Sequence, residues 1–159
     1  MLEEPPAKHI ILAIVPPGDD RTTLKEVLTP TNWQVMFSNT FREAQTALRT
    51  FSISVVLSDS HLLDGYSWRD VLQELSAAPS PILLIVADRL ADEALWAEVL
   101  NLGGYDVLAR PFDPRELLHA VAAAGRSREY DMKRTAPIAR KPVASWSASP
   151  LKRTAVAGG

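Results

Sequence analysis

The chain has 159 residues, 47% hydrophobic and 23% charged, and no cysteine. That length suits one compact core rather than two ordinary domains, and the missing cysteine excludes a disulfide framework, a thiolate metal site and a cysteine nucleophile. The net charge of −2 divides unevenly: residues 1–125 carry 9 Lys/Arg against 17 Asp/Glu, a balance of −8, and residues 126–159 carry 8 against 2, a balance of +6.

Apolar runs such as Ile10 to Val15 fall far short of the ~20 residues a membrane span needs. The opening Met1-Leu2-Glu3-Glu4 is acidic where a secretory signal is basic. The expectation is a soluble, cytoplasmic protein with no membrane partner. It has an extension over 1–7, a folded domain over 8–125 and a basic, disordered tail over 126–159, which is poor in groups to bury. The tail is also the one segment whose charge suits nucleic acid.

In chain order, His9–Val15 reads as a first strand, followed by Pro16-Pro17-Gly18-Asp19-Asp20. Asp19 and Asp20 read as acids capping the first helix; the alternative lets them reach a site at the strand ends through water. Trp33–Phe37 is a second strand. Thr40-Phe41-Arg42-Glu43 is a capping box opening a helix whose buried stripe is Phe41, Ala44, Leu48 and Phe51. Ile53–Leu57 is a third strand, ending just before Ser58-Asp59. Ser67-Trp68-Arg69-Asp70 is a weaker cap signal for a helix with the stripe Trp68, Val71, Leu72 and Leu75. Ile82–Val86 is a fourth strand. Leu95, Val99 and Leu102 supply the stripe of the helix after it, which leaves Trp96 and Leu100 on a shoulder open to a partner, and Gly103-Gly104 ends that helix. Tyr105–Ala109 is the fifth strand, and Asp113-Pro114-Arg115-Glu116 opens the last helix with an Asp cap and Pro at its first position. Near Arg126 the pattern stops.

Several of these strands are continuous apolar runs rather than alternating ones, as in a parallel sheet covered by helices on both faces. The fold class is a doubly wound α/β domain with right-handed crossovers. In such a sheet, chemistry sits beyond the carboxyl ends of the strands. That rule draws attention to an acid cluster there: Asp19, Asp20, Asp59 and Asp64. No G-x-G-x-x-G or Walker A loop follows any strand, and Pro16 and Pro17 lack N–H donors, so nucleotide and flavin enzymes are excluded. His61 has no second ligand at metal spacing, and His9 and His119 read as structural.

Val55-Val56-Leu57-Ser58-Asp59, Leu62-Leu63-Asp64-Gly65 and Leu108-Ala109-Arg110-Pro111-Phe112-Asp113 together resemble the response-regulator receiver family of two-component signalling. The resemblance spans about residues 8–125 and is to an atypical, degenerate branch. It implies a flavodoxin/receiver-like (βα)5 fold with strand order 2-1-3-4-5, Asp59 as phosphoacceptor, Arg110 in the place of the family's lysine and contacting phosphate, and no enzyme activity. It also implies a histidine kinase or other signalling protein as partner, with a homodimer as a further expectation.

The match departs from the family at several positions. Pro16 and Pro17 stand where two Mg²⁺-binding acids are usual, Ala87 (or Val86) where a hydroxyl ends the fourth strand, and Val107 where a switch aromatic lies in the fifth. Asp59 is then the one secured carboxylate for a metal, so Mg²⁺ is expected to bind weakly or not at all. Two functions follow: a phosphoacceptor module, or a phosphorylation-independent pseudo-receiver that docks partners through Trp96 and Leu100.

Overall fold

In the computed structural model, which describes residues 9–134, ten elements alternate along the chain. They are β1 (His9–Ile14), α1 (Asp19–Leu28), β2 (Trp33–Ser38), α2 (Phe41–Thr50), β3 (Val55–Asp59), α3 (Trp68–Ser76), β4 (Leu83–Asp88), α4 (Glu93–Leu102), β5 (Asp106–Ala109) and α5 (Pro114–Arg134). The five strands form one parallel sheet in the order β2-β1-β3-β4-β5. Both the fold class and the strand order are those expected. The chain divides into two units, Met1–Arg128 and Glu129–Gly159, and the sheet lies in the first.

Successive strand residues face opposite ways, and the core divides accordingly. Ile11 and Ala13 of β1 with Val55 and Leu57 of β3 join Leu24 and Leu28 of α1 and Leu117 and Val121 of α5. Leu12, Ile14 and Val56 meet Phe41, Trp68, Val71 and Val99 on the other face. Both faces of the sheet are therefore dry, which is why these strands read as continuous apolar runs.

The helix starts follow from their caps. Thr40 Oγ1 accepts from Glu43 N at 3.1 Å, while the Glu43 carboxylate reaches back to Asn39 N at 2.8 Å, one residue earlier than a strict capping box. Ser67 and Asp70 form the complete box, and Asp113 accepts from Glu116 N at 3.0 Å. Gly103, at φ 112°, ends α4 in the left-handed conformation that glycine adopts without a Cβ clash.

Three expectations need correction. Phe51 is exposed rather than buried, because α2 stops at Thr50 and Phe51 takes an extended conformation. Leu102 is exposed at the last position of α4, whose buried residue is Val99. The expected tail does not begin at 126, because α5 continues helically to Arg134. The remainder, 135–159, and the extension over 1–7 lie outside the described residues.

Gly125 of α5 lies against Trp33: a Cβ there would come within 2.6 Å of the indole Cζ2. Trp33 is buried and cannot swing away freely. Gly125→Ala should therefore destabilise by about 1–3 kcal/mol through overpacking, although alanine is the better helix former. Urea denaturation of both forms checks this, and a stabilised variant would contradict it.

Candidate phosphoacceptor site

The strand order reverses between β1 and β3. The chain leaves β1 toward α1 on one face of the sheet and leaves β3 toward α3 on the other, which opens a crevice at their carboxyl ends. Asp59 is the last residue of β3, in register with Ala87 of β4. Its Oδ2 accepts from Arg110 Nη1 at 2.8 Å, and Arg110 Nε donates to Asp20 Oδ2 at 2.7 Å. The three side chains retain 15% (Arg110), 15% (Asp59) and 10% (Asp20) exposure. The pairing of Arg110 with Asp59 is thus present, and Asp20 is added to it.

Asp20 corrects the helix-capping expectation. Gly18 is the N-cap of α1 and makes no side-chain cap bond. The Asp20 carboxylate instead spans to the loop after β5, accepting from Arg110 and, at 3.4 Å, from Phe112 N. Asp19 is exposed. Asp64 leaves the expected acid cluster altogether: its two oxygens accept from Phe41 N at 3.1 Å and Arg42 N at 3.2 Å, so it caps α2. Of the four clustered acids, only Asp20 and Asp59 are brought together by Arg110.

Burial raises the pKa of Asp59 above its ordinary 3.8, and the neighbouring Arg110 charge pulls the other way without cancelling it. Burial also opposes the Arg110 charge, but the hydrogen bond to Asp20 and the charge of Asp59 outweigh it and raise the guanidinium pKa. Burial thus sets the direction for Asp59, and the two carboxylates set it for Arg110.

Ala87 and Val86 are fully buried and apolar, and Val107 is half-buried beside the core on the α3 face, so neither position supplies a hydroxyl or an aromatic. A hydroxyl is nonetheless present on the residue that follows β3. Ser60 Oγ donates a very short hydrogen bond to Asp88 and lies 3.2 Å from His61 Nδ1. The other Asp88 oxygen accepts from Leu90 N at 2.9 Å and Ala91 N at 3.5 Å, where Ala91 holds φ 41°. The Ser60 bond chiefly lowers the Asp88 pKa. Sequence reasoning missed this pair because it ended the fourth strand at Val86; a serine directly after Asp59 and an acid at the end of β4 were the available signals.

Arg89 was also missed. It is exposed and lines, with Arg110, Pro16, Gly18, Asp19 and Asp20, a pocket of about 320 Å³. Trp96 is 49% exposed, and Leu100 is half-buried.

A five-stranded parallel sheet in this order, with a carboxylate at the end of its central strand, is the receiver-domain fold. No family model matches the chain, and no curated protein sequence does. Solved structures do. The chain is similar to the signal receiver domain of an HD domain-containing protein from Pseudomonas fluorescens Pf-5, with TM-score 0.71 and 22% identity over 84% of this chain and 98% of that one. It is likewise similar to a two-component response regulator from Clostridium difficile, with TM-score 0.66 and 20% identity over 75% and 97%, and to a response regulator from Thermotoga maritima, with TM-score 0.60 and 21% identity over 75% and 98%. At these identities the likeness concerns the fold.

The raised pKa of Asp59 means that the folded chain binds its proton more tightly than the unfolded chain does. Stability from this group is therefore full at low pH and falls as pH rises between 3.8 and the folded pKa. Asn keeps an acceptor for Arg110 without the buried charge. Asp59→Asn should raise the thermal midpoint at pH 7 by about 2–4 °C, the shift of ~1 kcal/mol, and lose that advantage on acidification. Thermal melts across pH check this, and a less stable variant at pH 7 would contradict it.

Proposed function

We propose that the chain is a cytoplasmic receiver module of two-component signalling in which Asp59 accepts a phosphoryl group from the phosphohistidine of a histidine kinase. The observation that carries this reading is the Asp59 carboxylate at the carboxyl end of β3 with a guanidinium 2.8 Å from one oxygen. The oxygen not engaged by Arg110 is the nucleophile. It attacks phosphorus, a new P–O bond forms, and the bond to the donor atom breaks with its electron pair leaving on the donor. The chemistry is positioning and charge compensation, which Arg110 supplies. The module accepts a group and passes on the state; it turns over no separate substrate.

Incubation with acetyl phosphate tests this. The chain should gain one phosphoryl group that is labile to base, and Asp59→Asn should reduce the gain at least tenfold. Equal labelling of both proteins would reject Asp59 as the acceptor.

A second reading, docking without phosphorylation, is supported by α4. Among its residues only Val99 is buried, while Trp96 at 49% and Leu102 at 54% are exposed. Exposed aromatic anchors commonly dominate interfaces. On this reading Trp96→Ala weakens self-association or capture of a signalling partner by roughly tenfold or more, and Asp59→Asn leaves it unchanged. Sedimentation of both variants distinguishes the readings, since an equal effect of Asp59→Asn rules out the second.

A further inference from the structure

The resemblance to receiver domains implies Mg²⁺ at the acceptor, and the residues present do not fit it. Mg²⁺ needs near-octahedral oxygen ligands, usually from one or two carboxylates and water. Among the described residues no group of three His, Cys, Asp or Glu side chains could hold a metal. Pro16 and Pro17 bring no carboxylate to the end of β1. The pair that could start such a site, Asp20 and Asp59, is spanned by Arg110, whose Nε and Nη1 lie 2.7 and 2.8 Å from the two carboxylates. A divalent ion would have to break both charge-assisted bonds of a guanidinium that is only 15% exposed.

Two other carboxylates of the neighbourhood are also committed, and Asp19, which lines the pocket, is exposed. Asp88 accepts from Ser60 and from the backbone of its own loop, and Asp64 caps α2. Among the described residues Arg110 Nη2 makes no hydrogen bond, and exposed Arg89 makes none and forms no ion pair; both arginines line the 320 Å³ pocket. The cations beside the acceptor are thus covalently part of the chain. A planar guanidinium can meet phosphate oxygens with two parallel N–H bonds.

We propose that Arg110 is the resident cation of this site: it stands where a divalent metal would, joins Asp20 to Asp59, and makes the phosphoryl chemistry of Asp59 independent of divalent ions. With acetyl phosphate the balance is complete without a metal. An Asp59 oxygen bonds to phosphorus, the bond from phosphorus to the acetyl oxygen breaks, and acetate leaves with the electron pair; no proton is taken up. The metal-free part of the claim stands on the geometry alone, and the labelling part rests on the function proposed above.

The test begins with Mn²⁺ titration of the full chain followed by electron paramagnetic resonance. The wild type should show no saturable binding up to about 1 mM, whereas Arg110→Ala, which frees Asp20 and Asp59, should bind at least roughly tenfold more tightly. Adding Asp59→Asn to it should remove the gain. Arg110→Gln is the second variant, and circular dichroism establishes which is folded; if neither is, the wild-type titration decides alone. Saturable sub-millimolar binding by the wild type, or no gain in a folded Arg110 variant, overturns the proposal.

Labelling with acetyl phosphate in EDTA and in excess Mg²⁺ is the second arm, with rates expected within about twofold. A tenfold or greater dependence on Mg²⁺ overturns the proposal as well. Absence of labelling in both buffers defeats the phosphoacceptor reading, and the Mn²⁺ result then decides the resident-cation claim.

Discussion

Arg110 donates to Asp20 from one nitrogen and to Asp59 from another, so a single charge is divided between carboxylates that arrive from α1 and β3. Three consequences follow. The loop after β5 is held down at both Arg110 and Phe112 by one residue of α1. Asp59 receives only part of the compensation its burial calls for, so its carboxyl holds a proton more readily than an ordinary aspartate. And the crevice, which the fold opens at the reversal of strand order, holds this guanidinium between the two carboxylates.

Much of the fold was legible because its signals are local. Thr40, Ser67 and Asp113 stand three residues before the group each serves or within that reach, and the apolar runs of β1 and β3 report burial on both faces without reference to anything distant. Asp59 was legible too, since its place at a strand end follows from the run before it. Asp20 was not. As a residue at the head of a helix it looks like a cap, and its true partner, Arg110, lies 90 positions further on. Asp64 failed in the same way, being a cap for a helix that precedes it by 23 residues. Phe51 and Leu102 failed differently: at Phe51 the periodicity runs on after the backbone has left α2, and Leu102 is the last residue of α4, exposed where the helix ends.

The loss of a hydroxyl at Ala87 does not leave the β3–β4 edge without one. Ser60 donates across it to Asp88, and Asp88 organises the turn through Leu90 and Ala91. The residue after Asp59 is thereby linked to the entry of α4, by way of a backbone angle that alanine rarely adopts. A serine hydroxyl has one proton to give, so this link and any bond to an anion on Asp59 compete for the same donor.

The sparse burial of α4 has a consequence in time rather than in structure. Elements that bury little open locally at a low free-energy cost, and their amide hydrogens exchange with solvent from that open state. Val99 is the buried residue of α4, and its surface pair from Arg69 to Glu98, both partners well exposed, adds little. The neighbouring strands β3 and β4 are buried along nearly their whole length. α4 is thus the helix expected to open most readily, its amide protons exchanging while those of β3 are still held.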